Sequence, residues 1–217
     1  MTSATIPLDV FSDPVCPWCY IGKSILDRAL ESRPAHAFRV EWHPFRLNPD
    51  IPSEGANRAE WLEAKFGDRQ KAAAMAAQVQ AAADEAGVQM DITRATRMPN
   101  TIDAHRLIHW AGLEGAQNRV VDALFRAYFR DGLDIGSHAV LADLAGACGM
   151  DRDLVARLLA SDADRDDLLA RDLDARQKGV TAVPTFLIDR QFVIPGAQPL
   201  ETWQRIIDEI AEQLESK

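Results

Sequence analysis

The chain has 217 residues, 47% of them hydrophobic and 26% charged, with a net charge of −9. That is the composition of a globular protein able to bury a substantial core in one domain or two. The acidic balance argues against nucleic acid as a general partner, and no run of about 18 apolar residues offers a membrane span. Met1 to Thr5 shows no basic stretch leading into an apolar one, so no secretory signal is visible and a cytoplasmic location is expected.

The elements fall into three blocks. Ile6 to Phe11 reads as a strand, and Pro17 to about Glu31 as a helix with Ile21, Ile25, Leu26 and Ala29 on one side. Phe38 to His43 follows as a second strand, with Phe38, Val40 and Trp42 on one face. Pro44, Pro49 and Pro52 then remove donors and fix φ, which makes this stretch an extended exit loop. Residues 56–175 carry almost no strand signal. A short helix holds Trp61, Leu62, Lys65 and Phe66, and Asp68 can cap an alanine-rich helix that Gly87 stops. Thr101, Ser137 and Asp151 are placed to cap later helices, and a last one runs from about Asp164 to Lys178. Sheet then returns: Thr185 to Ile188, a turn at Asp189-Arg190, and Gln191 to Ile194 as the hairpin partner. Pro199 opens a final amphipathic helix with Trp203, Ile206, Ile207, Ile210 and Leu214. The order βαβ, helices, ββα predicts an α/β thioredoxin fold, residues 1–55 and 176–217, interrupted by a large helical insertion, residues 56–175.

Cys16-Pro17-Trp18-Cys19 stands where the first strand runs into the first helix. Such a pair elsewhere is compatible with a zinc half-site or inert packing; here it reads as a redox dithiol. Residues three apart on a helix are neighbours, close enough for a disulfide after a small rotamer change. Pro17 suits the first helical position. Cys16 then lies at the N-cap, where unpaired N–H groups and the positive dipole end favour a thiolate. This makes Cys16 the nucleophile and Cys19 the more buried, resolving thiol. Trp18 brings no charge to the pair. Cys148, among small apolar residues, reads as a buried free thiol.

Val183-Pro184 precedes the returning strand. In a thioredoxin fold a proline here is cis and packs on the dithiol, leaving the Val183 backbone for an extended substrate segment to pair with. His105 and His109 fall at i, i+4 without an intervening Glu or a third ligand, so no metal is assigned. His105 and Asn100, near the start of one helix of the insertion, are substrate-side candidates. Asp13 lies close to the thiols, where its carboxylate either raises the Cys16 pKa, relays protons for Cys19, or is simply exposed. His43 has no evident base role.

Ser12-Asp13-Pro14-Val15-Cys16-Pro17-Trp18-Cys19-Tyr20-Ile21-Gly22-Lys23 resembles the active-site signature of the FrnE branch of DsbA-like oxidoreductases. Trp42 to Pro49, Pro99-Asn100-Thr101 with Ala104-His105-Arg106-Leu107, Gly179 to Phe186, and Gly196-Ala197-Gln198-Pro199 resemble further segments of that family in the same order. The resemblance implies a DsbA fold, catalytic Cys16, Cys19 and cis-Pro184, and substrate contacts from Pro17, Trp18, Val183, Gly196 and Gln198. Relatives of this fold, the 2-hydroxychromene-2-carboxylate isomerases and kappa-class glutathione transferases, typically carry serine where Cys16 stands and an Asp where this chain has Gln198. The expected function is therefore thiol–disulfide exchange with protein or small-molecule substrates, with no resident cofactor and glutathione as a possible co-substrate. A glutathione-dependent isomerase or transferase is the alternative, and a zinc-binding module a more distant one. The expected state is a monomer or homodimer, away from nucleic acid and membrane.

Overall fold

A computed structural model describes residues 5–215. The signal reading of the first residues and the outer ends of the two predicted thioredoxin-like spans lie outside them. In chain order the elements are β1 (Ile6–Ser12), α1 (Pro17–Glu31), β2 (Phe38–Pro44), β3 (Ala56–Asn57), α2 (Arg58–Phe66), α3 (Arg69–Glu85), β4 (Arg97–Met98), α4 (Ile102–Leu113), α5 (Gln117–Phe129), α6 (His138–Ala147), α7 (Arg152–Leu159), α8 (Arg165–Gln177), β5 (Thr185–Ile188), β6 (Phe192–Pro195) and α9 (Leu200–Glu215).

The main sheet has the order β2-β1-β5-β6, with β1 parallel to β2 and antiparallel to β5. Register puts Leu8 beside Val40 and Ile188, and Val10 beside Trp42 and Phe186, so these side chains share one face. Trp203 of α9 meets the Phe186 ring edge-on at 4.8 Å, covering that face with a wholly buried indole. Asp9, Glu41 and His43 point the other way by the same alternation, toward the insertion. Among the described residues no helix is long and apolar enough to cross a membrane.

The helices α2–α8 form the insertion between β2 and β5. Tyr20 of α1 stacks on Phe125 and Phe129 of α5 at 5.2 and 5.9 Å, joining it to the thioredoxin half. Gln117 adds a polar clamp: its Oε1 accepts from Trp42 N at 2.9 Å and its Nε2 donates to Trp42 O at 3.1 Å. That amide satisfies one stretch of the otherwise open β2 edge, a common liability of sheets.

The caps sort the sequence expectations. Asp68 accepts from Lys71 N and Asp151 from Asp153 N and Leu154 N, as their types predict. Thr101 and Ser137 stand at N-cap positions without capping through their side chains. Asn100 Oδ1 takes the Ile102 N–H instead, which frees the Thr101 hydroxyl for a different partner. The strand-poor middle block also contains one ladder, in which β3 and β4 pair Ala56 with Met98 and Asn57 with Arg97. Two-residue strands are too short to leave an alternating pattern, yet this pair closes the base of the α2–α3 segment.

Candidate active site

Cys16 is the N-cap of α1, with extended backbone at φ −86° and ψ 114°, and Pro17 follows in the first turn. Its carbonyl accepts from Cys19 N at 3.1 Å and Tyr20 N at 3.3 Å, so the helix begins on the nucleophile itself. Both cysteines of the motif are free thiols; Cys16 is 2% exposed and Cys19 not at all. Burial pushes the Cys19 thiol up, and a hydrogen bond with Cys16 adds to the rise.

The second half of the site comes from the far end of the chain. The Val183–Pro184 peptide is cis, and the Cys16 thiol donates to Val183 O at 3.6 Å. Gly196 N donates to Pro184 O at 2.7 Å, pinning the proline from behind. Gly22 permits the approach: a Cβ there would stand 3.2 Å from Pro184 Cγ and 3.5 Å from Ala197. Glycine leaves this turn of α1 free to sit close to the proline, where a Cβ would make a tight contact. Its place in the middle of an amphipathic helix, where glycine costs stability, was the available sequence signal.

A cavity of about 230 Å³ opens on Cys16. Pro17, Trp18, Ala182 and Val183 form its thioredoxin wall, and Trp61, Leu62, Lys65 and Phe66 of α2 with Met75, Ala76 and Val79 of α3 form the facing wall. Lys65 Nζ bonds to Asn48 Oδ1 at 2.7 Å and lies 4.5 Å over the Trp61 ring. Burial pulls the Lys65 ammonium down, while the negative charge of Cys16 and Asp13 opposes that shift. The sequence presents Trp61, Leu62, Lys65 and Phe66 as one short helix without assigning Lys65 or Arg58 to the site.

Behind the thiols the polar groups are sealed. Asp13 is wholly buried, which corrects the exposed alternative. Its carboxylate accepts from Leu47 N at 2.6 Å, from Val15 N at 3.4 Å and from the Thr101 hydroxyl at 3.4 Å. Burial raises it from its ordinary 3.8 to about 7, with those three bonds pulling the other way. His105, 2% exposed, presents Nε2 at 3.8 Å from Asp13 Oδ1, and burial pushes its imidazole down to about 3. It supports the site from within and does not line the cavity.

Other sequence candidates lie apart. Asn100 spends its amide on Ile51 O and Ile102 N, and Gln198 folds back onto Pro195 O. Neither lines the cavity, nor does Gly196. His43 bonds Asp9 through Nε2 at 2.9 Å and receives Arg171 at Nδ1. With Asp9 and Glu41 it brings three possible ligand atoms within 4.8 Å of one another, but the guanidinium on the imidazole opposes a cation there. Among the described residues, no third such ligand joins Cys16 and Cys19. Cys148 is half-buried, far from the pair in sequence, with its thiol raised by burial.

The sequence pattern of the DSBA-like thioredoxin domain matches residues 7–208. YwbO of Bacillus subtilis (strain 168), itself uncharacterized, is 28% identical over 206 residues, covering 94% of this chain and 97% of YwbO. The crystal structure of the probable DsbA oxidoreductase SCO1869 from Streptomyces coelicolor superposes with a TM-score of 0.83 at 30% identity, covering 94% of this chain and 89% of that one. The cytosolic disulfide reductase DsbM from Pseudomonas aeruginosa, solved with GSH, shares the fold at a TM-score of 0.69 and 19% identity, covering 95% and 99%. With a dithiol at the mouth of α1, a cis-proline against it and a family match spanning both halves and the insertion between them, the chain belongs to the DsbA-like thioredoxin-domain family of disulfide oxidoreductases.

Proposed function

We propose that the protein exchanges disulfides through Cys16 and Cys19, with Cys16 attacking and Cys19 resolving. The observation that carries this is the position of Cys16: N-cap of α1, its sulfur against Val183 O beside cis-Pro184, at the end of a cavity. The Cys16 thiolate attacks one sulfur of a substrate disulfide, forming a mixed disulfide and expelling the other sulfur as a thiolate. Cys19 then loses its proton and attacks the Cys16 sulfur, releasing the second thiol; the protein is oxidised by two electrons and the substrate reduced by two. Burial keeps Cys19 protonated until that step, so Cys16 acts first. Asp13, titrating near 7 behind the pair, is the group we assign to take that proton.

Glutathione is the small thiol proposed to restore the dithiol, supported by the shared fold of DsbM, whose structure contains GSH. The cytosolic setting named for DsbM supports a cytoplasmic location for this chain. Retention of both cysteines favours exchange over glutathione-dependent isomerisation.

The test is turnover of a small-molecule disulfide, bis(2-hydroxyethyl) disulfide, and a measured Cys16–Cys19 reduction potential. Cys16→Ser should abolish turnover, and Cys19→Ser should accumulate a mixed disulfide on Cys16 visible by mass spectrometry. A Cys16→Ser variant with undiminished turnover would overturn the proposal.

A further inference from the structure

Helix α2 has an apolar face with nothing packed fully against it. Trp61, Leu62 and Phe66 line the cavity, yet α2 buries none of its residues completely. A helix in a packed core normally hides such a stripe; here the stripe faces empty space that ends on Cys16. The same face carries Arg58 and Lys65, seven residues and two turns apart. They are the only formal charges among the described residues lining the cavity, both positive, in a chain of net charge −9. Arg58 Nε is moreover a buried donor without a hydrogen-bond partner, a position that costs free energy unless something fills it.

Access to the nucleophile narrows the occupant. Cys16 is 2% exposed, so a disulfide on a folded protein surface has no open approach to its sulfur. The cavity does reach it, and at about 230 Å³ it is smaller than the roughly 300–1,000 Å³ of pockets for drug-sized ligands. That space suits a ring-sized group. Apolar walls accept an aromatic or branched body, and two cations with no acid accept one carboxylate.

We propose that the cavity is a specificity pocket for small disulfides whose apolar, ring-sized body carries a carboxylate, held by Lys65 and Arg58. This rests on the exchange reading above and names its substrate class. In the reaction the reduced protein and the disulfide R–S–S–R give the Cys16–Cys19 disulfide and two molecules of R–SH. The two electrons and both protons come from the cysteine thiols.

The test compares single-turnover rates of the reduced protein with 5,5′-dithiobis(2-nitrobenzoate), an aromatic carboxylate disulfide, and with uncharged 4,4′-dithiodipyridine. Each rate is divided by that of dithiothreitol with the same reagent, so that intrinsic reactivity cancels. The expected preference for the carboxylate is about tenfold, the worth of one charge-assisted hydrogen bond. Lys65→Met and Arg58→Gln should each reduce it severalfold, and both cations lie on a helix with no fully buried residue, so folding is not at stake. A preference unchanged in both variants, or absent in the wild type, overturns the proposal while leaving the exchange reading intact. A second arm is independent of thiol chemistry: calorimetric binding of 3-phenylpropionate to Cys16→Ser, weakened by adding Lys65→Met. Binding there without any disulfide exchange in the wild type would retain the pocket and reject the exchange reading. No binding in this arm counts against the pocket.

Discussion

Oδ1 of Asp13 and Nε2 of His105 face each other at 3.8 Å inside the protein, and Nε2 has no hydrogen-bond partner. The two groups respond to burial in opposite senses. Asp13 holds its proton up to about pH 7, and His105 stays neutral down to about pH 3. At neutral pH the contact is therefore held together without a full ion pair.

That pairing predicts a compensated pH response. Asp13 binds its proton more tightly folded than unfolded, so its contribution to stability is complete below 3.8 and is lost as pH rises toward 7. His105 binds its proton less tightly when folded, so its contribution is complete above 6.5 and is lost as pH falls toward 3. Between about pH 4 and 6.5 the two slopes oppose each other. Asp13→Asn should leave a protein that gains stability with rising pH across that window, and His105→Gln one that loses it, each by on the order of 2 kcal/mol. Urea midpoints at several pH values read this directly. Parallel curves for the wild type and both variants would contradict it.

Gly22 sets how closely α1 approaches the cis-proline. Gly22→Val should cost about 1–3 kcal/mol through overpacking against Pro184 and Ala197. Slower exchange should accompany that loss, because Val183 O and Cys16 part with the proline. Gly22→Ala should be milder, since alanine regains about 1 kcal/mol of helix propensity against a single tight contact. Denaturation midpoints and turnover of both variants check the ranking.

Arg106 is wholly buried and donates to the carbonyls of Leu158 in the last turn of α7 and of Ser161 and Ala163 between α7 and α8, and to Asp103. Arg106→Gln strands several of these acceptors and should cost about 3–5 kcal/mol, read as a fall in calorimetric melting temperature. Arg106→Lys should recover little, because one ammonium cannot reproduce the fork of the guanidinium.

The parts of the site legible in the sequence are those whose signal is local. Cys16, Pro17 and Cys19 lie within four residues, and the strand alternation from Phe38 to Trp42 gives β2 its inward face. Asp68 and Asp151 cap the residues next to them. Asp13 was ambiguous because its environment is assembled from a distance: Leu47 supplies an N–H, Thr101 a hydroxyl and His105 an imidazole. A carboxylate beside a proline in a short loop carries no mark of such burial. The Thr101 side chain departs from its capping role for the same reason, since Asn100 takes the local donor and Asp13 offers a partner across the fold. The apolar stripe of α2 reads the same whether a neighbouring helix or a ligand covers it, so its role became visible only with the cavity.

The contact between Cys16 Sγ and Val183 O spans 167 residues of chain. The whole of the insertion lies in the chain between the two strands that bring these atoms together, β1 and β5. Closing a floppy loop of that length is entropically costly, and a prefolded helical unit with its ends already near each other lowers the cost. The helices thus serve as a splint during assembly as well as a wall afterwards. A chain arrested before β5 docks carries Cys16 and Cys19 without the proline or the covering walls, two ordinary accessible thiols. Their shielding from alkylating reagents therefore marks the moment at which the distant halves have met.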